Sequence, residues 1–151
     1  MNDKMTAWQQ LSAILSRVAD EPLKWDENAV KISTVPILAD IIKDKEDIIV
    51  AVPDNFSGKA SDISIVENKF GKFVLAFPIK ENAEMIGENS AVLPAEDVFR
   101  MISSNAKIKG ILLVYRINPT EKTYMSSAIE KQCVLTAMKL GLEFRGKEKK
   151  Q

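Results

Sequence analysis

The 151-residue chain contains no histidine and a single cysteine, and each scarcity narrows the chemistry open to it. Without histidine there is no Ser-His-Asp or Cys-His nucleophile pair, no imidazole proton shuttle and no ordinary zinc site. Carboxylate, lysine and tyrosine chemistry stay open, but the commonest catalytic toolkit is absent. One cysteine, Cys133, excludes an intrachain disulfide framework and suits a reducing compartment. Net charge is also missing: Lys+Arg and Asp+Glu both count 21. No global field then draws the chain to nucleic acid or to a membrane, and neither is expected as a partner. The longest unbroken apolar runs are five residues, Ile111–Tyr115 among them, against the roughly 20 needed to span a bilayer. Met1-Asn2-Asp3-Lys4-Met5 lacks the basic-then-apolar layout of a signal peptide, so the expected location is the cytoplasm.

What is present is ordinary globular material, 46% hydrophobic and 28% charged, with neither repeats nor low-complexity tracts. The length predicts a single domain over residues 1–144, followed by a basic tail at 145–151. The organising stretch is Gly110-Ile111-Leu112-Leu113-Val114-Tyr115-Arg116-Ile117-Asn118-Pro119. Its branched apolar run, bounded by glycine and Asn-Pro, reads as a strand buried on both faces and central in its sheet.

Around it the periodicity predicts a helix over 3–19, with Ala7, Trp8, Leu11, Ile14, Leu15 and Val18 on one face, stopped by Pro22. Ser33-Thr34-Val35-Pro36 has the form of a helix start, leading to about Lys43. A strand follows at 48–52, then a loop at 54–61. Within that loop Ser57-Gly58-Lys59 lacks the spacing of a phosphate loop. Runs at 62–67 and 72–77 flank Asn68-Lys69-Phe70-Gly71 and read as a hairpin. A short helix at 81–86, a strand at 90–93 and a helix at 94–104 lead into the central strand. A short strand around Thr123–Met125 follows it. The last helix is expected at 126–140, capped by Ser126 or Ser127 and stopped by Gly141. The expected fold is α+β, a mixed sheet of about five strands with helices packed against it.

Few residues carry candidate chemistry. Arg116 and Asn118 stand at the end of the central strand, where ligands commonly bind, and Arg116 suits a carboxylate or phosphate. The competing reading is structural: a snorkelling arginine and an Asn-Pro turn. On the last helix, Ile129, Cys133, Ala137 and Leu140 share one apolar arc, with Cys133 as a small hydrophobe. Val134, Leu135 and Met138 spread beyond that arc and form a candidate surface for a protein partner or for self-association. No cofactor and no metal are expected.

From Leu75-Ala76-Phe77 through Lys80-Glu81-Asn82-Ala83-Glu84 and Leu93-Pro94 to Ile117-Asn118-Pro119, the chain resembles the N-terminal domain of SseB, the enhanced-serine-sensitivity family. The likeness covers about residues 35–140, and Pro78 stands where that family has threonine. It implies an α+β domain of bacterial cytoplasm with an undefined molecular activity and no catalytic residues to carry over. The missing chemistry and the spare apolar surface of the last helix make a non-enzymatic interaction or regulatory domain the leading expectation. The alternative is a small-ligand-binding or enzymatic domain with its polar site at the end of strand 110–117.

Overall fold

A computed structural model describes residues 6–149. Helices α1 (Ala7–Asp20) and α2 (Glu27–Lys43) precede β1 (Asp47–Ala51), a hairpin of β2 (Ile65–Asn68) and β3 (Gly71–Phe77), and α3 (Lys80–Met85). Then come β4 (Ser90–Pro94), α4 (Ala95–Ser104), β5 (Ile108–Asn118), β6 (Thr123–Glu130) and α5 (Lys131–Lys149). The class is α+β, with a mixed six-stranded sheet.

The strands lie in the order β4-β1-β3-β5-β6, and β2 pairs with the first half of β3. Among the described residues only β3 and β5 pair in parallel; the other pairings are antiparallel. β5, expected at the centre, is second from an edge. The middle position belongs to β3, whose Phe73–Phe77 are all buried. Both strands carry the continuous apolar run of doubly covered strands, so composition alone does not rank them.

Alternation along the strands sorts the core into two layers. Val74, Ala76, Ile111, Leu113 and Ile129 meet α1, α2, α4 and α5 on one face. Ala51, Phe73, Leu75, Phe77, Leu112 and Val114 point the other way, toward α3 with its buried Ala83. The first face carries four helices, and the second carries one of six residues.

α1 opens on a reciprocal capping box. Gln9 N–H donates to Thr6 Oγ1 at 3.1 Å and Thr6 N–H to Gln9 Oε1 at 2.8 Å. Trp8, Leu11 and Leu15 then bury as their spacing predicts. The expected start at Asp3 lies outside the described residues, as do Lys150 and Gln151.

Three boundaries depart from expectation. α2 begins at Glu27, capped by Asp26 Oδ1, which accepts from Ala29 N–H at 2.7 Å. Pro36 therefore lies inside the helix rather than at its start. Its ring supplies no donor to the Ile32 carbonyl one turn back, on a face where Ile32 is 74% accessible. Ser126 and Ser127 do not cap α5; they pair with Val114 and Leu113, because β6 follows β5 as far as Glu130.

Nor does Gly141 end α5, and residues 145–149 are helix rather than tail. A Cβ at Gly141 would stand 2.6 Å from the Ala39 carbonyl oxygen and 2.7 Å from Ile42 Cβ. The glycine is there so that α5 can press against the backbone of α2. One turn on, Arg145 closes the same contact. Its Nη1 donates to Glu96 Oε1 of α4 at 2.8 Å, and its Nη2 donates to the Ile42 carbonyl at the end of α2. Glu96 also accepts from Arg100 at 2.8 Å, and the Arg100 and Arg145 bonds hold its carboxyl below the usual carboxylate range.

Two predictions follow from this helix layer. Gly141→Ala should lower stability, by up to about 2 kcal/mol in urea melts. Overpacking of roughly 1–3 kcal/mol outweighs the roughly 1 kcal/mol of helix propensity gained. A variant more stable than wild type would mean that the glycine faces open space. Because the Glu96 pKa is lowered on folding, its contribution is present above its ordinary 4.5 and is lost as pH falls through the lower folded value. The stability gap between wild type and Glu96→Gln should therefore narrow below about pH 4.5 in melts run across pH. A gap that widens there would contradict the assignment.

Candidate functional site

Parallel pairing brings the carboxyl ends of β3 and β5 side by side, the place where open sheets form crevices. α1 lies across those ends and is held by polar bonds along its length. Trp8 Nε1 donates to the Asp47 carbonyl at 2.8 Å, and Ser12 Oγ to the Val114 carbonyl at 3.1 Å. Arg116 Nε donates to Ser16 Oγ at 3.1 Å, and its Nη2 to Asp20 Oδ1 at 2.5 Å.

Arg116 reaches α1 because the β5·β6 ladder slips at Tyr115: Val114 faces Ser126, but Arg116 faces Met125. The bulge gives two successive residues one side of the sheet. Tyr115 packs on the main core and Arg116 beside it bonds to α1, while Ile117 goes to the opposite layer. In an unbroken strand Arg116 would follow Leu112 and Val114 to the far face.

The crevice between α1 and the strand ends has a volume of about 310 Å³ and is lined by Gln9, Ser12, Ser16, Asn82 and Tyr115 with Pro78 and Ile79. Among the described residues no charged side chain lines it. Gln9, Ser12 and Ser16 already serve as cap, donor and acceptor. The Asn82 side-chain amide and the Tyr115 hydroxyl make no hydrogen bond among the described residues. The arrangement suits a small uncharged polar group and offers nothing to a phosphate.

Neither sequence candidate at this strand end lines the crevice. Arg116 spends its donors on α1 and lies over the Tyr115 ring at 5.7 Å; the Asp20 bond raises its pKa further. Asn118 Oδ1 accepts from the amides of Thr120 and Glu121, both at 3.1 Å, which makes it the pivot of the β5–β6 turn.

The three residues on α5 also separate. Val134 is fully buried in the main core and so belongs to no surface. Met138 is half-buried against the same core, and Leu135 borders a shallow depression with Gln132, Thr136 and Lys139. Sequence reasoning misplaced Val134 because it counted one helix packing arc, whereas α5 is covered by the sheet, α2 and α4 together.

More apolar surface is exposed elsewhere. On the thinly covered sheet face, Val92 pairs with half-buried Ile49 and is 53% accessible; Ile49 in turn pairs with buried Phe77. Tyr124 lies on that face too, opposite Ile117, with burial and the Glu88 carboxylate raising its pKa. Two grooves flank the outer strand β6. One, about 210 Å³, lies on the helix face among Leu15, Val18, Val30, Ile129 and Cys133, with Lys31 and Glu130 4.0 Å apart beside it. The other, about 510 Å³, lies on the thin face between Phe70, Phe73 and Ala128, with Lys109 on its rim. Phe70 drew no notice in sequence because it occupies a hairpin turn. Its signal was a large aromatic among Asn, Lys and Gly.

Among the described residues no helix is long and apolar enough to cross a membrane, and no group of three or more Cys, Asp or Glu is placed to hold a metal ion. No family model, curated protein or solved structure matches the chain.

If Arg116 is a docking residue for α1, Arg116→Ala should speed amide hydrogen exchange in the last turn of α1, around Arg17–Asp20, while β3 and β5 keep their protection. Unchanged exchange there would show that its bonds to Ser16 and Asp20 do not hold the helix.

Proposed function

We propose that this chain is a non-enzymatic protein-interaction or regulatory domain of the bacterial cytoplasm, binding through the thinly covered face of its sheet. The observation that carries the reading is the uneven covering of the two faces. On the helix face the residues of β1, β3 and β5 lie under four helices, with Ile65 and Met125 of the flanking strands exposed; the other face has only six-residue α3, Val92 is 53% accessible there, and Met85 of α3 is 43% accessible. Apolar residues that continue a buried cross-strand row, as Val92 continues Ile49 and Phe77, form a contact surface rather than scattered exposure. The resemblance to the SseB N-terminal domain supports the same reading.

A second reading rests on the crevice at the ends of β3 and β5. There the unbonded Asn82 side-chain amide and Tyr115 hydroxyl would receive a small neutral polar ligand. Arg116 and Asn118, bound into the fold, would act on it only by shaping the wall.

The two are separated by capture from native bacterial lysate on the immobilised chain. Val92→Lys and Met85→Lys should each reduce the retained protein severalfold while urea midpoints stay within the ~0.5 kcal/mol usual for surface changes. Equal retention by wild type and both variants would overturn the interaction reading.

A further inference from the structure

We propose that two copies of this chain join into one continuous sheet, β6 pairing antiparallel with β6 of the second copy about a two-fold axis at Ser126. The inference rests on the interaction reading and deepens it by naming one partner and a second surface.

The two edges of the sheet are not alike. β4 has five residues and ends in Pro94, a residue that blunts edges. β6 runs for eight, Thr123–Glu130, with no proline, glycine or lysine in it. Among the described residues its backbone hydrogen bonds go to β5 alone. Its outer side is therefore a row of donors and acceptors at strand spacing, the template for strand addition.

The two grooves lie on either side of the same stretch, residues 127–130. An added strand sends successive side chains to opposite faces, so it delivers one to each groove. The chain itself carries the residues to be delivered. Met125 and Tyr124, 49% and 38% accessible, point to the helix face and the thin face respectively at the other end of β6.

Register decides whether they meet. Residues opposite one another must share a face, which leaves few registers. With the axis at Ser126, Met125 of one copy stands opposite Ser127 of the other, beside the groove of Leu15, Val18 and Cys133. Tyr124 stands opposite Ala128, which forms the β6 side of the groove that Phe70 and Phe73 close from the hairpin of β2 and β3. Lys122, in the turn before β6, comes opposite Glu130. Each contact is made twice by symmetry. An axis one residue on, at Ser127, would set Tyr124 against Glu130 and leave Lys122 without a strand partner.

Sedimentation equilibrium of the full chain over a wide concentration range tests this. Wild type should show a monomer–dimer equilibrium. Met125→Glu should stay folded and become monomeric, because the dimer would seat a carboxylate in an apolar groove. Lys122→Glu and Glu130→Lys each oppose like charges twice per dimer, weakening it about twofold to thirtyfold. The two together should restore it. If Met125→Glu fails to fold, the charge pair decides alone. A wild type that is monomeric at every concentration, a dimer indifferent to Met125→Glu, or charge reversals that do not rescue one another would each overturn the proposal. Val92→Lys, on the opposite half of the sheet, should leave the dimer intact while reducing lysate capture, so failure of one reading is distinguishable from failure of the other.

Discussion

The parallel pairing of β3 with β5 is the constraint from which the rest of the architecture follows. Parallel neighbours cannot be joined by a tight turn, so the chain between Phe77 and Ile108 must cross over and come back. On the way out it lays α3 on one face and places β4 at the far edge. On the way back it lays α4 on the other, where Val98, Phe99 and Ile102 enter the main core. The two faces are covered unequally because α1, α2 and α5, from outside the crossover, join α4 on one face, while the other receives only six-residue α3.

The thicker layer then has its own packing problem, four helices on one sheet face. It is solved at backbone level where α5 crosses α2, Gly141 lying against the Ala39 carbonyl. Arg145 ties the ends of α2, α4 and α5 together through Ile42 and Glu96. Its Nε atom is buried without a partner, so the residue is held by its two terminal nitrogens. A basic side chain that looks like part of a solvated tail is a clamp in the folded protein.

At the strand ends the same economy appears in the bulge at Tyr115. By advancing the side-chain phase one step, it brings Arg116 to α1 and returns Ile117 to the second layer. That tie positions α1 over the crevice and over the groove beside β6. Site and scaffold are therefore one set of contacts, and Arg116 and Asn118 are scaffold.

Much was legible in the chain because local signals and burial agree. The α+β class, the hairpin around Asn68–Gly71, the 94–104 helix and the apolar run of β5 follow from periodicity and turn chemistry, which act over a few residues. Positions of glycine, proline and arginine were not legible, since each has two physical uses. Gly141 can end a helix or let two helices touch, and only the nearby Ala39 backbone chooses. Pro36 can open a helix or lie within one, and Asp26 ten residues earlier decides. Val134 can face solvent or core, and its burial depends on the elements packed around α5 from distant parts of the sequence. The sequence by itself determined the order and kind of most elements, because those preferences are local, but not where α2 begins, where β6 gives way to α5 or where α5 ends. Which strand is central, which face stays thin and which edge stays open were decided by tertiary structure, because they depend on pairings between residues far apart in the chain.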